Sequence, residues 1–365
     1  RFTVPVTSGE WEVKEIKHVD EKNEVIYFTS NKRSVLENHL YSVRFDGTSM
    51  KILTPEPGYH SVSVNPNGNS FVDSYSSIDQ PPIIKYRGTD GELIRLLGET
   101  DLSSFNLKEL SKPSIVRFTA DDNKTVLNGI ITLPQNYKKG KKYPLLVNGY
   151  GMPGTQIVYN RWQGGFQQFL AQEGYIIFSM DSRGMSGRGR DFKNLSYGDM
   201  ANYLAKDQAT GVKWLIEQGY VDKERIGAWG WSGGGYFTCL MLTKNSDLFS
   251  VGVAVAPVTD FRLYDTAYTE RYMGLPQENK SGYDSTSTIT YVDRLKGKLL
   301  LMHGTNDDNV HAQNSTKFVE ACIRAGRPID VMYYPSRNHG IYGNNATKHV
   351  YKKLFEYFRL HLKIG

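Results

Sequence analysis

Cysteine is scarce, with two residues in 365, Cys239 and Cys322. Both fall in predicted helices among apolar neighbours, where buried free thiols are the expected state and a disulfide is not. No apolar run approaches the roughly 18 residues that would span a bilayer, and Arg1-Phe2-Thr3-Val4-Pro5 has none of the features of a secretion leader. The expectation is a soluble mature chain. Charge is not concentrated either. A formal net charge of +6 is mild for this length, and the single short basic run, Lys138 to Lys142, reads as a solvated loop. No nucleic-acid or membrane-binding footprint is present in the sequence.

The length predicts about two domains, each able to bury its own core. From Glu24 to Gly98 the pattern is of short alternating strands: Val25 to Thr29, Leu40 to Phe45, Lys51 to Leu53, Ser61 to Val64, Phe71 to Tyr75, Ile83 to Arg87 and Leu93 to Leu97. Asp46-Gly47, Asn67-Gly68 and Asp90-Gly91 punctuate them as turns. The first and last of these turns lie 44 residues apart, and each precedes a short apolar strand, which suits the period of propeller blades. Two blades do not close a propeller, which needs about four to eight. The chain is therefore expected to begin within a larger protein. The alternative is a small meander packed on the next domain.

A domain boundary is expected near Asn106 to Pro113, dividing the chain into 1–112 and 113–365. After the strand-like runs Ser114 to Thr119 and Thr125 to Leu133, the rhythm changes. Leu145 to Val147, Tyr175 to Met180, Arg225 to Ala228, Val251 to Ala256, Leu299 to Met302 and Asp330 to Tyr334 read as buried strands. Lys206 to Gln218, Tyr236 to Lys244, Ala312 to Ala325 and Asn345 to Leu360 read as helices. Such alternation implies an α/β fold, a mostly parallel sheet with helices on both faces, whose ligands bind beyond the carboxyl ends of the strands.

Three of those strand ends carry chemistry. Gly230-Trp231-Ser232-Gly233-Gly234 is a G-x-S-x-G pattern between a predicted strand and helix, the signature of a nucleophile elbow; the same residues would also serve as a plain Gly-rich connection. Asp307 follows the strand ending at Met302, and His339 follows the strand ending at Tyr334. The order Ser, Asp, His is that of an α/β-hydrolase. In this reading Ser232 is the nucleophile, His339 takes its proton, and Asp307 fixes the imidazole. Asp307 or Asp308 could instead be a turn residue or cap the helix that follows, while His303 and His311 compete with His339. The position of His303 before the acid suits local packing. The backbone N–H of Gly233 and the phenol of Tyr150, on the loop Asn148 to Gly154, are the expected oxyanion donors.

Together with Ala256-Pro257-Val258, Tyr264 to Gly274, His303 to His311 and Asn338-His339-Gly340, these residues resemble the dipeptidyl peptidase IV group of the prolyl oligopeptidase family. The resemblance covers roughly 115 to 365 and extends less sharply over 10 to 110, which is similar to the last propeller blades of that group. It implies a serine exopeptidase, without metal or cofactor, that removes N-terminal dipeptides with proline, or less well alanine, in second place. It implies Ser232, Asp307 and His339 as the triad, with Tyr150 and Gly233 at the oxyanion. Val258, Tyr264, Tyr268 and Val310 would wall a proline pocket, Phe261 would stand at its edge in place of a usual tryptophan, and Asn309 would hold the substrate backbone. Gly233 stands where the family usually has an aromatic residue, which predicts a wider pocket. The glutamate pair by which the family grips the substrate amine has no counterpart in this chain. The resemblance further implies a homodimer through the final helices and a periplasmic, secreted or surface-attached location. The rival functions are an oligopeptidase, acylaminoacyl peptidase or carboxylesterase with the same triad and, from another class, a catalytically silent binding protein.

Overall fold

The computed structural model describes residues 4–103 and 110–363; the part of the expected boundary at residues 106–109 lies outside them. The chain divides into two compact units, the first made of Arg1–Lys112 with Val158–Gly164 and Gly187–Arg190, the second of Pro113–Ile157, Gly165–Ser186 and Asp191–Gly365.

The first unit holds two antiparallel four-stranded sheets. One runs β1 (Val13–Asp20), β2 (Val25–Ser30), β3 (His39–Arg44), β4 (Lys51–Ile52), and the other β5 (Tyr59–Val64), β6 (Ser70–Ser76), β7 (Ile83–Gly88), β8 (Leu93–Glu99). The same device closes the last hairpin of each. Asp46 accepts the N–H of Thr48, and Asp90 that of Glu92, both at 2.9 Å, so the 44-residue spacing marks equivalent corners of two blades. Tyr27 and Leu40 of the first sheet, with Leu53 just after β4, share a buried cluster with Val62 and Phe71 of the second. β1 is the one strand of the unit that the sequence pattern did not announce, and its side chains are mostly exposed.

The two short segments belonging to this unit are held by specific bonds. The Glu12 carboxylate accepts the N–H groups of Gly187 and Gly189, at 3.2 and 2.7 Å, and Asn31 donates to the Gly187 carbonyl at 2.6 Å. The N–H of Asn160 donates to the Leu36 carbonyl at 2.7 Å, and its amide to Glu37 at 3.0 Å.

The second unit is built on an eight-stranded sheet. Its strands are β9 (Pro113–Thr119), β10 (Val126–Thr132), β11 (Tyr143–Asn148), β12 (Ile176–Met180), β13 (Val221–Trp231), β14 (Val251–Val255), β15 (Lys298–Gly304) and β16 (Asp330–Tyr334), in the order β16-β15-β14-β13-β11-β12-β10-β9. β9 and β10 form an antiparallel hairpin at one edge; β11 to β16 are parallel. The apolar strands are buried on both sides, and their residues alternate between two cores. Leu145, Val147, Leu299 and Leu301 face one core with α3 (Asn202–Glu217), α4 (Gly233–Lys244) and α7 (Gln313–Arg324). Leu146, Leu300 and Met302 face the other, with α1 (Phe166–Gln172) and α8 (Ala346–His361). Each such leucine is less than 2% exposed and contributes about 1.5–3 kcal/mol relative to an exposed one. Two free cysteines, Cys239 on α4 and Cys322 on α7, are buried in the first core.

This is an α/β-hydrolase preceded in the sequence by blades of a β-propeller. β11 lies between β12 and β13, so the chain reverses its direction of travel across the sheet there. That places the crevice of the fold at the carboxyl ends of β11 and β13. The sequence signals missed α5 (Thr266–Met273), α6 (Lys280–Thr286), α1 and α2 (Gly189–Asn194).

Candidate active site

Ser232 stands between β13 and α4 with φ 61° and ψ −117°, a conformation that costs a non-glycine residue of the order of 1–3 kcal/mol. The surroundings hold it there. Its N–H donates to the Val255 carbonyl at 2.8 Å and its carbonyl accepts from Tyr236 N–H at 2.9 Å. The side chain makes no capping bond to α4, so the hydroxyl is not spent on the helix. The two arms of the turn touch: a Cβ on Gly230 would lie 2.6 Å from the Gly149 carbonyl oxygen and from the backbone of Gly234. Only glycine fits at 230.

Asp307 and His339 come together beyond β15 and β16. His339 Nδ1 donates to Asp307 Oδ2 at 2.8 Å, while Asp307 Oδ1 accepts the N–H groups of Asn309 and Val310 at 3.0 and 2.8 Å. The acid thus holds its own turn and the imidazole at once. Burial raises its carboxyl pKa, but the hydrogen bonds from His303 and His339 outweigh burial and hold it below the usual carboxylate range. The N-cap of α7 is Ala312, with no side-chain capping bond, so neither Asp307 nor Asp308 caps that helix, and Asp307 holds a turn instead. The two loops are also clamped to each other, with Asn306 N–H donating to the Arg337 carbonyl at 3.0 Å and Ser336 N–H to the Thr305 hydroxyl at 2.8 Å.

Two residues join this arrangement that sequence reasoning did not assign to it. Trp231, beside the serine, donates its indole N–H to the His339 carbonyl at 2.8 Å. His303 is fully buried, and its Nε2 lies 2.8 Å from the Val310 carbonyl and 3.2 Å from Asp307 Oδ2, with Nδ1 2.7 Å from Ser315 Oγ. It bonds locally, as its position suggested, yet one of its partners is the acid itself. His311 stays exposed.

A cavity of about 70 Å³ opens beside Ser232, lined by Tyr150, Met152, Thr155, Gly233, Val258, Phe261, Tyr264 and Tyr268. One water needs about 10–15 Å³ by this measure, so the cavity has room for a small group only. The aromatic rings form a row: Phe261 to Tyr264 at 6.4 Å between centroids, Tyr264 to Tyr268 at 5.8 Å. Tyr268 donates to the Pro153 carbonyl at 2.8 Å and Tyr264 to Asn309 Oδ1 at 3.0 Å. Burial pushes both phenol pKa values up, which keeps them neutral donors. Val310 is fully buried and belongs to the acid turn; it does not line the cavity. Met152 and Thr155 line it and carried no sequence signal.

The profile of the prolyl oligopeptidase family matches residues 163–365, more than half of the chain. The chain belongs to the prolyl oligopeptidase family. Residues 2–82 match the N-terminal region of dipeptidyl peptidase IV. Among related sequences, the probable dipeptidyl-aminopeptidase B of Botryotinia fuckeliana is 37% identical over 358 residues, covering 96% of this chain and 39% of that protein. The protein of the same description from Aspergillus terreus is 37% identical over 361 residues, with the same coverage. Among solved structures, Porphyromonas gingivalis dipeptidyl peptidase 4 superposes with a TM-score of 0.92 at 31% identity, over 98% of this chain and 51% of that one. A putative dipeptidyl aminopeptidase IV from Bacteroides ovatus gives 0.88 at 33% identity, over the same shares. The chain therefore spans about two fifths of those fungal family members and about half of the bacterial ones.

Proposed function

We propose that the chain carries the catalytic machinery of a serine exopeptidase that releases N-terminal Xaa-Pro, and less readily Xaa-Ala, dipeptides. Residues 113–365 are the catalytic domain in this reading and 1–112 the end of a propeller. Ser232 Oγ attacks the carbonyl carbon of the scissile bond, and His339 Nε2 takes its proton and passes it to the leaving amine. Asp307 keeps the Nδ1 proton in place and stabilises the imidazolium. The Gly233 N–H and the Tyr150 phenol receive the oxyanion, where one donor is worth roughly 2.7–4 kcal/mol. Water then attacks the acyl-enzyme by the same route and frees the dipeptide.

The observation that carries the reading is the small aromatic cavity at the foot of a strained serine whose neighbour, Trp231, bonds the backbone of an acid-bound histidine. Val258, Phe261, Tyr264 and Tyr268 offer a flat apolar slot suited to a pyrrolidine ring, which lacks an N–H to satisfy. Asn309 stands exposed at the rim, bonded to Tyr264, where it meets the substrate backbone. Val310 serves through the acid turn. A homodimer accords with the exposed Ile323 on α7 and Leu360 on α8.

The test is hydrolysis of Gly-Pro and N-blocked Gly-Pro anilides by the full-length protein and by Ser232→Ala. Cleavage of the free-amine substrate alone, lost in the variant, is the expected result. Cleavage of both would reassign the protein to oligopeptidase, acylaminoacyl peptidase or esterase chemistry.

A further inference from the structure

Gly233 is helical, the first residue of α4, and is not among the residues with positive φ. Its lack of a side chain is therefore not explained by backbone conformation. It is explained by space. A Cβ at 233 would lie 2.6 Å from Met152 Cγ and 2.9 and 3.0 Å from Tyr150 Cε1 and Cζ. Met152 already fills the volume into which a side chain at 233 would project. It is 4% exposed, yet it lines the cavity beside Ser232. Its backbone is pinned by Thr155, whose N–H and hydroxyl both donate to the Met152 carbonyl, at 3.2 and 2.5 Å.

We infer that Met152 is the wall of the acyl-side pocket next to the nucleophile and sets the width of that pocket, with Gly233 and Met152 acting as one steric unit. The inference rests on the exopeptidase reading above for its substrate and on geometry for its residue. The wider pocket expected from glycine after the serine does not arise, because the wall is rebuilt from the loop after β11. The material of that wall matters. A thioether on three rotatable bonds packs closely against a five-membered ring and yields to a slightly larger one more readily than a fixed aromatic face. Met152 is thus a specificity-determining residue for the size of the second substrate residue.

The experiment compares kcat/KM for Gly-Pro and Gly-pipecolyl anilides, whose rings differ by one methylene. The enzymes are wild type, Met152→Leu, Met152→Ala, Gly233→Ala and the Gly233→Ala, Met152→Ala double variant of the full-length protein. Active sites are counted by fluorophosphonate labelling of the serine, so a poorly folded variant is not mistaken for a selective one. Met152→Ala should raise the pipecolyl-to-prolyl ratio about tenfold or more, and Met152→Leu should leave it within about threefold. Gly233→Ala alone should slow both hydrolysis and the labelling rate at least tenfold, and most of that loss should vanish when Met152 is also alanine. An unchanged ratio in Met152→Ala would overturn the inference, as would the same Gly233→Ala penalty in both backgrounds. If wild type reacts with the fluorophosphonate but leaves Gly-Pro anilide intact, the substrate reading fails, while the labelling rates of the four-member cycle still decide whether 152 and 233 are coupled.

Discussion

Replacing Asp307 with asparagine separates the two tasks of this carboxylate. The asparagine Oδ1 can keep the N–H groups of Asn309 and Val310, now at 3.0 and 2.8 Å, so the acid turn should persist. The other oxygen becomes an NH₂ facing His339 Nδ1 at 2.8 Å and His303 Nε2 at 3.2 Å. Both ring nitrogens donate to the carboxylate, and a donor cannot replace an acceptor there. His339 must then turn its lone pair to the amide and carry its proton on Nε2, where it cannot take the proton of Ser232. The equivalent change in a Ser-His-Asp site lowers kcat about ten-thousandfold, or about 5.4 kcal/mol at 1.36 kcal/mol per tenfold. His303 retains its bond to the Val310 carbonyl at 2.8 Å, so the cost in stability should be no more than the about 1–3 kcal/mol of one thwarted buried donor. Steady-state kinetics on Gly-Pro anilide at neutral pH should show kcat reduced about ten-thousandfold and KM within a few fold, with thermal unfolding still cooperative. A folded Asp307→Asn enzyme keeping a tenth of the wild-type kcat would refute the reasoning, since His339 would then not depend on the acid for its tautomer.

Trp231→Phe removes the indole N–H that anchors the His339 carbonyl; a hydrogen bond of this kind is worth about 0.5–1.5 kcal/mol. Its kcat should fall by up to about tenfold, and an unchanged rate would show that the Asn306 and Ser336 bonds between the other two loops suffice without it. In the first unit, burial raises the Glu56 pKa, but the hydrogen bonds from Lys85 and Arg87 outweigh burial and take it down to about 2. A folded-state pKa below the unfolded 4.5 means stability that is fully present above about pH 4.5 and is lost as pH falls towards 2. Melting temperatures of wild type and Glu56→Gln should therefore converge across that window, and a constant gap would exclude Glu56 as the source.

The fold was legible wherever burial imposed a pattern. Leu145 to Val147 and Leu299 to Met302 are apolar without alternation because both faces of β11 and β15 are covered, and that gave the parallel sheet and the carboxyl ends at which to look. β1 escaped because Val13–Asp20 is largely exposed and its polar residues obey no inside-outside rule. α5 escaped because it is only eight residues long and polar between its tyrosines, too short for a periodic pattern to stand out. Ser232, Asp307 and His339 could be named as candidates from strand ends and chain order alone, and the last two do meet. The Trp231 to His339 bond and the place of Met152 in front of Gly233 could not, because each depends on how closely two loops approach, which no local pattern encodes; the contact of His303 with Asp307, four residues on, depends on the path of a single turn.

The path of the backbone has a mechanical consequence. Running through 1–112, 113–157, 158–164, 165–186, 187–190 and 191–365 in alternation, the chain changes unit five times. A protease cutting once near Lys112 would therefore sever a covalent link without parting the pieces. Residues 158–164 and 187–190, still joined to the larger fragment, would remain laced into the smaller one by Glu12, Asn31, Leu36 and Glu37. Through these bonds within the first unit, a nicked molecule should migrate as one species until it is denatured.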